Sequence, residues 1–561
     1  MKIQRRGALV AWTSLLAGSS LLFSAAIATG APMVSSPLPQ TALAAAATPT
    51  CPAEWQATTE YRSGATVSYK GNIYKASWWT LGDIPGSQQW ISWKLEGPCT
   101  GAGPTPTPTP TPDPTPTPDP TPDPNPSQPP APAAYKPQVK HIAPPADYPT
   151  ATKMATDEKA LADSAGESKD LIPLIRKAQE VRPDSEVNQI VPKRAANPAN
   201  VKLLESIISE TRFNELFPVR HKAYSYENLL KAVGKFPAYC AIYEDGRNSE
   251  EICRKLLATT FAHFVQETGA NWATLTPSLL TNDPDHNNPV LATMPQDQTI
   301  PTHRQALWYL REISYTEEKS RDIYTECFKD AGSPIFSIFT PCGKDSAGQY
   351  YAYFGRGAKQ LSWNYNYGQF SKSLYGDPNI LLDDPALVAD SWLNFASAIW
   401  FAVYPQSPKP PMTWVVDGTW KPNAVDKANN MSPGFGATVD IINGGIECHN
   451  GGAEKSQVVN RINAYKAFAN ELGVTIPADE KLGCADTKGF VVGSAAATKT
   501  NLDMDWSYDS TKPSGKSYKC QLVTYQTPFS LANTGDYKTC VDYFFRGQVE
   551  FEGKVVIDNT K

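Results

Sequence analysis

Apolar residues recur three and four positions apart through VKLLESIISETRFNELF, SYENLLKAVGKF and SEEICRKLLATTFAHFVQET. That spacing draws one hydrophobic stripe along a helix, and it predicts a large α-helical lobe over residues 201–484. Helix-prone runs precede it in TKMATDEKALADSA and LIPLIRKAQEV, so residues 135–200 read as a helical region without an assignable role. Two stretches carry a shorter period. ATVSYKGNIYKASW, with turn glycines at Gly64, Gly71 and Gly82, predicts a small β-rich unit over residues 51–99. KCQLVTYQTPFSL and KTCVDYFFRGQVEFEGKVVI alternate apolar with polar positions, so residues 485–561 are expected to form a small β-rich extension.

Composition separates these pieces. Of 561 residues 50 are proline, too many for continuous regular structure. They concentrate in residues 100–134, where PTPTPTPTPDPTPTPDPTPDP removes amide donors and fixes the backbone near polyproline II: a semi-rigid spacer. At the start, Lys2, Arg5 and Arg6 precede a long apolar run, and Ala42, Leu43 and Ala44 form a plausible cleavage site. Residues 1–44 thus read as a secretory leader, with a retained membrane anchor as the alternative. With the leader removed, a secreted chain that neither spans nor binds a membrane is expected, and a monomer. Formal net charge is −5 with the charges dispersed, which argues against nucleic acid and for a neutral ligand.

Outside the cytoplasm thiols oxidise, so the ten cysteines are expected as disulfides. Locality suggests Cys51 with Cys99 as a clamp across the small unit, then Cys240 with Cys253, Cys327 with Cys342, Cys448 with Cys484 and Cys520 with Cys540. No Cys-x-x-Cys pair occurs, which speaks against zinc. His263 and Glu267 have the spacing of a metal-binding pair on a helix. A buried structural histidine is the competing reading, and no metal or cofactor is expected.

The densest chemistry lies in YFGRGAKQLSWNYNYG, Tyr353–Gly368, which reads as too polar for a core. Gln360, Ser362, Asn364 and Asn366 alternate with Trp363, Tyr365 and Tyr367. Amides and hydroxyls suit sugar hydroxyl and acetamido groups, and rings suit their flat C–H faces. A surface strand or hairpin with period two is the structural alternative. In the small unit some of Trp55, Trp78, Trp79, Trp90 and Trp93 must stay exposed, because so short a chain buries little core. Hydrolysis of a glycosidic bond needs a carboxylic acid to protonate the leaving oxygen and usually a carboxylate to activate water. Glu267 stands beside the apolar face of Leu257, Phe261, Phe264 and Val265, near a helix end. Partial desolvation and the helix dipole are both expected there to favour its protonated form. Glu312 lies in RQALWYLREISYTEE, with Glu317 and Glu318 as fallbacks.

The Tyr353–Gly368 segment resembles the signature of the family 19 glycoside hydrolases, the mainly helical chitinases. WFAVYPQSPKPPMTW, VDGTWKPNAVDKANNMSPGFG, DIINGGIEC and VVNRINAYKAF are similar to further family segments. The resemblance implies a mainly α-helical, lysozyme-like catalytic domain over residues 201–484 with Glu267 as general acid and Glu312 as general base. It implies that Ser362 helps hold the attacking water, and that Gln360, Tyr365, Asn366 and Asn443 bind sugar. Glu447 and Arg461 match the family's ionic network, a plain structural salt bridge being the other reading. The chain departs from the family's H-E-T-T-G-G by carrying Gln266 for the histidine and Gly269, Ala270 and Asn271 at the last three places. EYRSGATVSYKGNIYKASWWTLGDIPG followed by WISWKL is similar to family 5/12 carbohydrate-binding modules, which implies that Trp78 and Trp79, and more weakly Tyr61, hold the polymer. The expectation is an inverting endochitinase acting on chitin and chitooligosaccharides. A peptidoglycan hydrolase and a non-catalytic chitin-binding lectin or adhesin are the rivals.

Overall fold

The computed structural model describes residues 50–56, 61, 65–76, 85, 93–100, 136–166, 169–324, 339–524, 527–551 and 553–561. The chain divides into two units, Met1–Asp119 and Pro120–Lys561.

The first unit is an antiparallel sheet in the order β1 (Thr66–Tyr69), β2 (Asn72–Ala76), β3 (Trp93–Pro98). Lys70 and Gly71 turn the first hairpin with φ of 50° and 75°, the left-handed pair that a two-residue loop needs to match strand twist. Val67 and Trp93 are its buried centre, and Cys51–Cys99 clamps the ends as expected. Trp93 is therefore a core ring. Tyr61 stands edge-on to it at 5.2 Å and accepts a bond from Gln56 N, so this half-buried ring packs the small core. Trp78, Trp79 and Trp90 lie outside the described residues.

The second unit opens with β4 (Gln138–His141), α1 (Ala151–Asp163) and α2 (Leu171–Ala178). Its lobe is helical as expected. The principal helices are α3 (Tyr226–Lys235), α4 (Ser249–Thr268), α5 (Asn364–Tyr375), α6 (Leu393–Val403), α7 (Phe435–Glu447) and α8 (Ser456–Glu471). There follow β5 (Asn501–Met504), β6 (Cys520–Val523), α9 (Asp536–Arg546), β7 (Gly547–Phe551) and β8 (Lys554–Asp558). No helix among the described residues is long and apolar enough to cross a membrane.

Helix α4 organises the lobe. The Asn248 side chain caps it by accepting from Glu251 N, and Glu250 and Glu251 sit favourably in the first turn, at the positive end of the helix dipole. Farther along, Leu257, Phe261, Phe264 and Val265 are buried as their spacing predicts. Helix α8 lies alongside, its Phe468 ring edge-on to Phe261 at 5.6 Å. Disulfides Cys240–Cys253 and Cys448–Cys484 join the lobe as expected. Cys342 is also disulfide-bonded, while its expected partner Cys327 lies outside the described residues.

The two flanks share one core. Met154, Ala165 and Ile172 from the first pack with Leu502, Tyr518, Phe529, Tyr537, Val541 and Tyr543 from the second. Strand β4 pairs with β7, Val139 opposite Val549, in a sheet ordered β4-β7-β8. The C-terminal flank has the expected strands and the expected Cys520–Cys540 bond, but KTCVDYFFR is helical rather than alternating. Tyr537, Cys540 and Val541 bury one face of α9 at helical spacing, and this outweighs the period-two pattern of Val541, Tyr543 and Phe545.

Candidate active site

Glu267 is the penultimate residue of α4, and the helix must stop just after it. Gly269 N donates to Val265 O at 3.0 Å, and a Cβ on Gly269 would lie 2.3 Å from that oxygen. Asn271 adopts φ of 54° and turns its amide onto Val265 O and Gly269 O. Asparagine tolerates this left-handed region, so the departure at this position keeps the turn. Gln266 accepts a bond from Asn460 on α8 at 2.9 Å, which ties the helix end sideways.

The Glu267 side chain is 12% exposed and meets two cations. Arg461 Nη2 donates to Oε1 at 2.6 Å, and Lys359 Nζ lies 3.6 Å from Oε2. Arg461, 1% exposed, also forms a two-pronged pair with buried Glu447, Nε to Oε2 at 2.8 Å and Nη2 to Oε1 at 2.7 Å. Asn443 reaches the same carboxylate, Nδ2 to Oε1 at 2.8 Å, because its φ of −155° and ψ of 32° break α7 there. A third Arg461 contact goes to His263, Nη1 to Nδ1 at 3.2 Å. Since a guanidinium only donates, Nδ1 accepts and the neutral ring carries its proton on Nε2, toward Thr438 Oγ1 at 3.1 Å. Burial, then Arg461 and Lys359, hold the His263 imidazole well below its usual pKa. His263 is the structural histidine, with the guanidinium bonded to both it and Glu267.

Electrostatics correct one expectation. Burial is the largest influence on Glu267 and raises its pKa, but Lys359 and Arg461 outweigh it and hold the carboxyl below the ordinary value. In this state Glu267 is a carboxylate. Burial likewise opposes the charge on Arg461, and Glu267 and Glu447 outweigh it.

Glu312 is fixed from the other side. Its backbone N donates to Gly355 O and Gly355 N donates to its Oε2, both at 2.8 Å, while Tyr324 Oη donates to Oε1 at 3.1 Å. Burial, then Glu312, pushes the Tyr324 phenol up, so it remains a donor. The two glutamates sit on adjoining chain. Tyr309 N bonds Thr268 O at 2.9 Å and Leu307 N bonds Thr268 Oγ1 at 3.0 Å. Glu312 follows Tyr309 by three residues, at most about 11 Å of extended backbone. One short loop serves both: Gly355 bonds Glu312, and Lys359 faces Glu267. The fallbacks stand apart. Glu317 bonds Arg356 and Ala352 N, and Glu318 is exposed.

The segment that read as too polar for a core is largely buried from Ala352 to Ala358. Arg356 can be interior because Glu317 pairs with it, Tyr367 Oη accepts from it and the Phe354 ring lies 3.8 Å beneath it. Nor is the segment a strand: α5 begins at Asn364, so Tyr365 is exposed whereas Tyr367 and Asn364 are buried. Ser362 Oγ donates to Gln360 O at 3.0 Å, Asn366 Nδ2 to Ser362 O at 2.9 Å, and Gln360 Nε2 to Gly357 O at 3.1 Å. Gln360, Ser362 and Asn366 thus lie together, half-buried. Lys359 was missed. Nothing in the sequence marks it, since only folding sets it against Glu267, 92 positions away, and over the Phe401 ring at 4.8 Å. Asp440, Cys448 and His449 also gather, but the Cys448 sulfur is committed to Cys484.

The family model described as chitinase class I matches residues 321–484, and that of carbohydrate-binding module family 5/12 matches residues 54–91. Endochitinase CH25 of Brassica napus is 30% identical over 295 residues, 51% of this chain and 75% of that protein. Endochitinase 1 of Solanum tuberosum is 33% identical over 298 residues, 51% of this chain and 76% of that protein. Chitinase 9 of Oryza sativa subsp. japonica is 31% identical over 302 residues, 52% and 74% respectively. At this identity and coverage the chain belongs to the family 19 glycoside hydrolases, the class I chitinase family.

Proposed function

We infer that this chain is a secreted, monomeric endochitinase that hydrolyses β-1,4 bonds between N-acetylglucosamine units with inversion. One observation carries the reading: the loop 355–359 contacts Glu312 at one end and Glu267 at the other. Inverting hydrolases hold their two carboxyls about 6.5–9.5 Å apart, leaving room for a water beneath the sugar. Glu267, protonated, gives its proton to the leaving oxygen. Glu312 takes a proton from water, which Ser362 helps to hold. Gln360, Tyr365, Asn366 and Asn443 bind sugar, and Glu447 keeps Arg461 in place. Because Lys359 and Arg461 favour the Glu267 carboxylate, the acid role calls for acidic conditions or for sugar binding that loosens one of those contacts.

The division into leader (1–44), binding module (51–99), spacer (100–134) and catalytic lobe (201–484) belongs to the same proposal. The disulfides support export, and the match to a carbohydrate-binding module supports tethering on insoluble chitin, which raises local enzyme concentration. Anomer-resolved chromatography of an N-acetylglucosamine hexamer digest tests the reading. Shorter oligomers released first as the α-anomer are expected. Intact hexamer, or β-anomer released first, overturns it.

A further inference from the structure

Two strongly exposed rings lie outside both family matches, on the stretch from Asp505 to Lys519: Trp506 is 75% exposed and Tyr508 79%. Tryptophan is normally well buried, so an indole and a phenol held in water two residues apart mark a surface that gains by being covered.

The stretch is a built hairpin. Asp505 N donates to Lys519 O and Asp509 N to Gly515 O, both at 3.0 Å, and Tyr508 pairs antiparallel with Lys516. Its turn closes through Lys512 N to Asp509 O and Gly515 N to Lys512 O. The Tyr508 ring rests on Gly515, where a Cβ would come within 2.3 Å of a ring carbon and where φ is +67°. Asp147 fastens the tip by accepting from Ser514 N at 3.1 Å and Ser514 Oγ at 2.6 Å. The Cys520–Cys540 disulfide anchors the base. The phenol ring is therefore fixed in place before any ligand arrives, which lowers the ordering cost of binding.

Charge narrows the occupant. Between residues 503 and 519 the three aspartates Asp503, Asp505 and Asp509 balance the three lysines Lys512, Lys516 and Lys519. Two of those lysines are turned inward, Lys512 Nζ onto Ser517 O at 3.0 Å and Lys516 Nζ onto Thr560 O at 3.2 Å. With Asp147 at its tip the patch has no excess of cations, and it does not attract a phosphate backbone or an acidic polymer. It does suit a neutral chain with flat C–H faces for the rings and hydroxyls for Ser507 and Asp509.

We propose that Trp506 and Tyr508 form a second sugar-stacking platform, which holds a strand of the N-acetylglucosamine polymer away from the cleft and from the leading module. The identity of the polymer rests on the function inferred above. Neighbouring ring positions about 7 Å apart along the backbone can both engage one strand.

Radical footprinting of the full chain, with oxidation read by peptide mass spectrometry, tests the platform locally. Oxidation at Trp506 and Tyr508 should fall by about threefold or more on adding saturating N-acetylglucosamine hexamer for a pulse shorter than its turnover. W506A/Y508A in the full chain should adsorb to crystalline chitin about three- to tenfold more weakly. Unchanged oxidation of both rings at saturating hexamer overturns the proposal. The inferred function fails separately, if the parent chain leaves hexamer uncut, and the footprint still reads the platform in that case.

Discussion

Replacing Lys359 with methionine isolates the charge that faces Glu267. The substitution keeps an unbranched stem over Phe401 and removes only the cation, 3.6 Å from Oε2. Coulomb's law at that separation gives about 1 kcal/mol if water screens the pair fully and about 5 kcal/mol at an effective dielectric of 20. With both side chains 12–13% exposed the pair lies between these limits. The direction is fixed. Lys359 lowers the pKa of Glu267, so its removal raises it. A general acid works only while protonated, and its pKa sets the alkaline limb of kcat/KM. In K359M that limb should therefore move to higher pH, measured on a soluble N-acetylglucosamine hexamer from pH 3 to 10. Stability follows the same linkage. A lowered folded pKa contributes stability above the unfolded value of about 4.5 that is lost as pH falls, and K359M should lose part of that contribution. A limb that stays put, or moves down, in a folded K359M would refute the assignment of Glu267 as the proton donor.

Other perturbations separate chemistry from architecture. Glu267→Gln and Glu312→Gln should each lose about 10²-fold or more in kcat while still adsorbing to chitin. Near-parent turnover in either folded variant would remove that residue from the mechanism. Arg461→Met strands two carboxylates, Glu267 and the buried Glu447, and should cost about 3–5 kcal/mol in urea unfolding; an unchanged midpoint would contradict the network. Glu471 binds His303, Arg304 and Arg212, and although burial opposes it His303 and Arg304 hold its carboxyl down to about 2. Its contribution, at most about 3 kcal/mol, is complete above pH 4.5 and fades as pH falls toward 2, so Glu471→Gln should flatten that acid limb of stability. Replacing Trp78 and Trp79 with alanine should weaken adsorption to crystalline chitin and leave soluble hexamer turnover alone, with both measured on the same preparation.

The helical lobe was legible because burial there follows sequence spacing: Leu257, Phe261, Phe264 and Val265 face inward as a 3.6-residue period requires. Local pairing was legible too, as Cys240–Cys253 and Cys520–Cys540 close short loops. The ionic network was not. Arg461 lies 194 residues from Glu267, and only the likeness to a family pointed to it. Tyr353–Gly368 misled because a buried arginine looks polar until its partners are known. Glu317 and Tyr367 bond Arg356 from either side in sequence, and no periodicity announces that. The helix Asp536–Arg546 satisfied both periods at once, and only its packing against the other flank decided between them.

The core shared by the two flanks bears on how the polypeptide matures. Lys140 and Glu550 meet across a separation of 410 residues, and Met154 and Ile172 are covered by side chains that emerge hundreds of residues later. A chain synthesised from its amino end carries those apolar faces bare until the far segment is made. Closing so large a loop costs little more entropy than closing a modest one, since the penalty rises only with the logarithm of length. The delay is thus one of time rather than of free energy. It leaves the newly made chain with apolar surface uncovered until its two ends find each other.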